Sequence, residues 1–373
     1  MIERKLENQI LKSSSLNKAV ILLGPRQTGK TTLMRKLLSG KDYLFIDCDD
    51  PLSRTQLQDA NTESIRQIIG KHTYVFIDEA QRVKNIGLTL KIITDQFKHI
   101  QLMVSGSSSL DLQSEINEPL TGRKIEYFLY PISWSELLNH TDYMTALRQL
   151  ETRIIYGMYP EVINNPGNEK ELLKQLSSSY LYKDILAYQN IRKPEILEKL
   201  LTALALQLGS EVSYNELARL LQVDKNTIST YIDLLEKAYV IFRLNPLRRN
   251  LRTEIGTSRK IYFYDNGIRN ALLSNFNSLE LRNDVGALWE NFMICERKKQ
   301  NHYSGRWVNY YFWRTKDQQE IDFIEESKGE LKTYEFKWNP QKTPPGSKTF
   351  MKAYPGSYYQ VINRDNFIEF LSD

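Results

Sequence analysis

An α/β fold that opens on a parallel sheet is predicted by three observations. Ala19 to Leu23 is an unbroken apolar run, the pattern of a strand buried on both faces. Gly24-Pro25-Arg26-Gln27-Thr28-Gly29-Lys30-Thr31 follows at once with the spacing G-x-x-x-x-G-K-[ST], and Thr32 to Leu38 continues at helical period with Leu33, Leu37 and Leu38 on one side. About fifty residues later the short run Tyr74 to Ile77 ends in Asp78 and Glu79. Strand, glycine-rich turn, helix and an acid-tipped strand together make a P-loop with its Walker B partner, the frame of a P-loop NTPase sheet.

The residue types suit phosphate chemistry. Gly24 and Gly29 let the backbone curl so that successive N–H groups, from Arg26-Gln27-Thr28 through Thr32, surround one anion. The helix that follows adds the partial positive charge of its N-terminus. In this reading Lys30 reaches the β- and γ-phosphates of ATP, and the Thr31 hydroxyl ligates Mg²⁺. Asp78 holds the same ion through water, and Glu79 polarises the attacking water.

The remaining elements of the first module follow in order. Residues 1–18 read as an amphipathic helix, and DYLFIDCDD is a second strand ending in Asp47, Asp49 and Asp50. Thr62 to Ile69 and residues 88–99 read as helices, and QLMVSGSSS is a strand ending in hydroxyls. A polar group at the tip of a strand between the P-loop and Walker B strands senses the γ-phosphate. Ser107 is the candidate, with Ser105 beside it; serines that cap the next helix are the alternative. Gly122-Arg123 precedes a fifth strand, where Arg123 is either a finger completing a neighbour's site or a surface ion-pair partner.

GPRQTGKTT, FIDEAQ, GSSS and the segment from Gly122-Arg123 through Pro131-Ile132-Ser133-Trp134-Ser135-Glu136-Leu137 together resemble AAA-type ATPases of a widespread bacterial and archaeal group. In that group an uncharacterised C-terminal region follows the ATPase domain. YGMYPEV (156–162) and YLYKDIL (180–186) extend the resemblance. It implies an ATPase fold, multidomain organisation and no particular substrate.

Residues 195–245 predict a winged helix. ILEKLLTALALQLG is a helix, and VSYNELARLLQVDKNTISTYIDLLEKAYVIFRL reads as helix, turn, helix and strand, with Ser213 and Glu216 as a capping box and Asp224 as the second cap. Lys225, Asn226 and Thr227 then begin a face able to enter a DNA major groove. RLNPLRRNLRTEIGTSRK adds Arg243, Arg248, Arg249, Arg252, Arg259 and Lys260 against the single acid Glu254, a strip suited to phosphates. A winged helix that serves only to pack against protein fits the same pattern.

The last hundred residues predict a further α/β domain. Glu290 sits on a helix among Trp289, Phe292, Met293 and Ile294, and Asp322 sits on a strand between Ile321 and Phe323. On the strand LKTYEFKW, Glu335 and Lys337 share one face. Glu on a helix, Asp on a strand and Glu-x-Lys on the next strand resembles the PD-(D/E)xK restriction-endonuclease-like fold. That resemblance implies carboxylates binding Mg²⁺ and an assisting lysine. A same-face ion pair on a solvated sheet is the alternative for Glu335 and Lys337.

The predicted division is therefore an ATPase domain at 1–138, a helical connector at 139–194, a winged helix with its strip at 195–275 and a nuclease-like domain at 276–373. Composition agrees with a folded chain of several domains: 373 residues, 41% hydrophobic, 25% charged. A net charge of +5 is small, so any nucleic-acid surface is a local patch. Cys48 and Cys295 form neither a metal spacing nor a disulfide framework, and the four histidines are scattered. No run reaches the length of a membrane span, and MIERKLENQILK lacks the apolar stretch of a signal peptide. The expectation is a cytoplasmic ATPase coupling Mg-ATP hydrolysis to C-terminal modules that bind duplex DNA, possessing no membrane partner and able to form a homo-oligomer. The alternatives are a nucleotide-gated nuclease and a non-catalytic switch ordered by ATP.

Overall fold

The computed structural model describes every residue except 14, 15, 17, 108–115, 181–192, 248–258, 316–318 and 373, and the backbone alone at 179–180. It forms two compact units, Met1–Ile132 with Lys237–Tyr239 and Ser133–Glu236 with Val240–Asp373.

The first unit is built on five parallel strands: β1 (Ala19–Leu23), β2 (Tyr43–Asp47), β3 (Tyr74–Asp78), β4 (Gln101–Gly106) and β5 (Lys124–Phe128). Their order is β2-β3-β4-β1-β5. Every side chain of the interior strand β1 is buried, which accounts for its unbroken apolar run, whereas the edge strands β2 and β5 are only partly covered. The helices are α1 (Leu6–Ser13), α2 (Lys30–Leu37), α3 (Pro51–Leu57), α4 (Thr62–Ile69) and α5 (Ile86–Gln96). Leu6 and Ile10 bury the apolar side of α1, as its period predicts. The sequence reading omits α3. Its start is nevertheless chemical: the Asp50 carboxylate accepts from the N–H groups of Leu52 and Ser53, and Pro51 occupies the first helical position.

The second unit carries a seven-stranded mixed sheet. Its strands are β6 (Glu211–Val212), β7 (Ile241–Pro246), β8 (Arg259–Phe263), β9 (Asn309–Arg314), β10 (Glu320–Ser327), β11 (Glu330–Phe336) and β12 (Tyr358–Ile362). The order is β12-β11-β10-β9-β7-β8-β6. β6, β8 and β7 pair antiparallel and adjoin the helices Pro194–Leu206, Tyr214–Leu221 and Lys225–Lys237 in sequence. A parallel pairing of β7 with β9, Asn245 opposite Tyr311 and Pro246 opposite Phe312, continues the sheet into the last hundred residues. The 19-residue helix Val285–Tyr303 buries Trp289, Phe292 and Met293, and Trp289 packs edge-on against Trp338 and Phe367. No helix among the described residues is long and apolar enough to cross a membrane.

One ion cluster fastens the start of that helix. Asp284 accepts from Arg282 (2.8 Å) and from Arg269 (2.5 Å), and both arginines are buried. Burial opposes the charge on Asp284, but the two guanidinium groups outweigh it and hold its carboxyl down at about 2. A depressed carboxyl contributes stability above its unfolded value and loses that contribution as pH falls toward the folded value. Asp284→Asn should therefore lower stability by about 2 kcal/mol near neutral pH. Chemical denaturation should show the deficit shrinking as pH falls from about 4 to about 2.

Candidate functional site

The C-terminal ends of β1, β3 and β4 bring together the groups singled out in the first module. Gly24 has φ +151°, and a side chain there would run into the Leu129 carbonyl oxygen at 2.2 Å, so the turn requires glycine. Gln27 and Gly29 also take positive φ, which completes the curl of the loop into α2. Lys30 is buried and folds back on the loop, donating to the carbonyl oxygens of Gly24 (3.0 Å) and Pro25 (2.8 Å). Thr28 donates its hydroxyl to Pro25 O (2.9 Å).

Thr31 donates to Asp78 Oδ2 at 2.8 Å, and the Ser105 hydroxyl donates to Asp78 Oδ1. Burial raises the Asp78 pKa, with these two hydroxyls opposing. A hydroxyl and a carboxylate side by side at the end of the P-loop form the oxygen set a hard divalent cation takes. The buried Gln27 Oε1, which has no partner among the described residues, is a further polar group lining the loop. The residues present thus fit Mg²⁺ with a phosphate chain.

Glu79 stands next to Asp78 in the left-handed region (φ 52°), which turns its side chain away from the line of β3. Its N–H donates to Ser105 Oγ (3.3 Å), and its carboxylate accepts from the Ser107 hydroxyl (2.9 Å). β4 lies between β1 and β3, so the two serines sit between the P-loop and the acids.

Residues 16–138 match the model of a family described as AAA domain. The N-terminal module is an AAA-type P-loop ATPase domain. Residues 147–279 and 285–371 match two families described as domains of unknown function, DUF8612 and DUF4143. The chain is 28% identical over 340 residues to the uncharacterized protein Rv2008c of Mycobacterium tuberculosis, covering 90% of this chain and 73% of that one. It is 24% identical over 347 residues to the uncharacterized protein MJ1544 of Methanocaldococcus jannaschii, covering 87% and 75%. Among solved structures, the Walker-type ATPase paby2304 of Pyrococcus abyssi aligns with a TM-score of 0.51 at 18% identity, over 73% of this chain and 96% of that chain. That likeness is one of fold.

Two polar groups of the first unit were missed by the sequence reading. Gln81 donates through Nε2 to Glu79 Oε2 (2.5 Å) and to Ser107 Oγ (2.9 Å), closing a triangle around the carboxylate. It lies in the quoted FIDEAQ, two residues past Glu79, where the 3₁₀ turn Ala80–Arg82 brings it back. Arg4 reaches the P-loop from the N-terminal segment, donating to Thr28 O and Tyr130 O, both at 2.6 Å. No local pattern reveals Arg4, because its partners lie 24 and 126 residues away.

Arg123 is not brought to the P-loop of its own chain. It precedes β5, whose first residue aligns with Ala19, while Gly24 follows the far end of β1. Five strand residues, hence six steps of about 3.3 Å, separate the two levels, roughly 20 Å. Its guanidinium is paired with Asp95 at 2.6 Å.

The second unit places the remaining candidates. Lys225 and Asn226 are exposed at the start of their helix, while the Thr227 hydroxyl is bonded to the capping Asp224 at 2.5 Å. Arg248, Arg249 and Arg252 lie outside the described residues. Two cations of the basic strip are consumed internally. Arg243 pairs with Asp233 (2.7 Å) and with Glu236, and Lys260 is buried. β-Strand alternation explains this, since neighbours in a strand point to opposite faces and the strip is not one surface.

Glu290, Asp322, Glu335 and Lys337 do converge. Lys337 Nζ lies 3.7 Å from Asp322 and 3.3 Å from Glu335. The register shift of β10 against β9 falls between Ile321 and Ile324, a bulge that re-aims Asp322. Asp322 Oδ2 also accepts from Phe336 N–H at 3.0 Å. Into the same cluster comes Lys260 of β8, 3.2 Å from Glu290, 2.5 Å from Glu320 and 3.9 Å from Asp322. Burial drives the Glu290 carboxyl up to about 7, with Lys260 opposing. Burial likewise works against the Lys260 charge, but the surrounding carboxylates more than offset it and raise its pKa.

Proposed function

We propose that the chain is a Mg²⁺-dependent ATPase whose C-terminal unit responds to the nucleotide and engages duplex DNA. The observation that carries the reading is the meeting of Lys30, Thr31, Asp78 and Glu79 at one end of the sheet, with Ser105 and Ser107 between them. Lys30 exchanges its loop carbonyls for the β- and γ-phosphates, and Thr31 and Asp78 hold Mg²⁺. The metal, when bound with ATP, neutralises phosphate charge. Glu79 orients a water and accepts its proton, while Ser107 and Gln81 fix the carboxylate that does so. Arg123 enters this reading only across an interface between copies.

Phosphate release by the purified chain, with and without duplex DNA, is the test. ATP binding without phosphate release would leave the non-catalytic switch. DNA affinity through the basic segment should fall with salt. Reversing Arg248, Arg249 or Arg252 to Glu should flatten the log–log slope by about 0.9 for each phosphate no longer neutralised. Gln81→Ala removes a charge-assisted hydrogen bond, about 1.5–3 kcal/mol. It should slow turnover at least ~10-fold, with KM for ATP nearly unchanged in steady-state kinetics.

A second reading rests on the cluster in the other unit. The convergence of Glu290, Asp322, Glu335 and Lys337 supports a restriction-endonuclease-like arrangement, in which three carboxylates and a lysine surround a phosphodiester.

A further inference from the structure

The endonuclease-like arrangement implies a divalent cation between Glu290 and Asp322, and the side chains can be tested for room to hold it. They do not fit. A divalent ion sits about 2.0–2.6 Å from its carboxylate oxygens. The Lys260 ammonium already stands 3.2 Å from Glu290 and 3.9 Å from Asp322. An ion bonded to the Glu290 oxygen that Lys260 touches would stand within about 6 Å of that ammonium, in a site whose lysine side chain is only 1% exposed.

We infer that Lys260 takes the place of the divalent cation, so that the cluster is an internal ion-paired tie and not a metal-loading centre. The inference rests on the endonuclease-like arrangement of the four residues, and it says what fills the place that arrangement would give to a metal.

Four further features hold the ammonium there. β8 is paired on both sides, Lys260 opposite Glu211 of β6 and opposite Leu244 of β7, so its backbone is fixed. Tyr262, on the same face two residues along, donates to Glu290 Oε1 at 2.5 Å, the oxygen that Lys260 also touches. On the other side, Asp322 is committed to the Phe336 N–H and lies near Lys337. Glu320 adds a third carboxylate to the Lys260 ammonium. Among the described residues, no three Asp, Glu, His or Cys side chains are arranged to hold a metal ion. A buried ammonium surrounded by acids satisfies charges that a vacant cluster of carboxylates would leave repelling one another.

Mn²⁺ titrated into the full chain tests this, followed by calorimetry and by the loss of the free-ion paramagnetic resonance signal. Each variant is compared with its Asp322→Asn counterpart, so that ions held at the P-loop cancel. Wild type and Asp322→Asn should bind the same amount of Mn²⁺. Lys260→Met should gain one equivalent, lose it again in the Lys260→Met, Asp322→Asn double variant, and show a melting temperature that rises with Mn²⁺. Binding by wild type that disappears in Asp322→Asn would overturn the inference and leave the endonuclease-like reading standing. If folded Lys260→Met and Lys260→Gln, checked by circular dichroism, gain no Mn²⁺, the endonuclease-like reading itself fails, and the inference with it. The wild-type comparison decides the matter even where neither Lys260 variant folds.

Discussion

Glu79→Gln should bind ATP with near-normal affinity and release phosphate at least ~10²-fold more slowly than wild type, the lower range for loss of a general base. The amide keeps the shape of the side chain but cannot take a proton. It also meets an unsuitable environment, because Ser107 and Gln81 both donate to Glu79 Oε2. An amide nitrogen turned toward that oxygen's position would face two donors. The affinity should hold because Glu79 lies beside Thr31 and Asp78, the pair proposed to hold the cation, without being part of it. Single-turnover measurement at saturating ATP separates the two quantities. Equal rates in variant and wild type would remove Glu79 from the chemistry.

Lys30→Ala should abolish measurable ATP binding. An ammonium about 4 Å from a phosphate charge near a protein surface is worth roughly 4 kcal/mol, close to ~10³-fold in affinity. Lys30 is buried against Gly24 O and Pro25 O, so its removal also strips two loop carbonyls of their donor. Unsatisfied buried groups cost about 1–3 kcal/mol each. Thermal unfolding of the nucleotide-free variant therefore has to accompany the binding titration. Affinity within tenfold of wild type would count against the phosphate role of Lys30.

The AAA domain was legible because its physics is local and repetitive. A parallel strand covered on both faces must be an apolar run, and the candidate residues begin at its C-terminal end, one residue beyond the run in both β1 and β3. Strand order placed Ser105 and Ser107 where that logic expected them. Arg4 and Gln81 escaped because each acts through partners that no spacing rule links to it. Lys260 was misread for a different reason. In the sequence it adjoins arginines and looks like part of a phosphate-binding strip, yet alternation along β8 turns it inward, and its acids lie 30 residues or more away. The four residues from Glu290 to Lys337 were found because helix, strand and strand order is itself a pattern; the cation among them was not, because it comes from outside that order.

The short pairing of β7 with β9 bears on how this chain can be dissected. It stitches strands from the two regions matched at 147–279 and 285–371 into one sheet. A cleavage in the interval between those matches would leave the backbone chemically divided but the hydrogen-bonded ladder asking for both halves. Expressed apart, each piece would present a bare strand edge, β7 on one and β9 on the other, and bare edges recruit other chains. The two pieces should accordingly be insoluble alone and soluble when co-expressed. What two sequence families divide, one sheet makes a single heritable object.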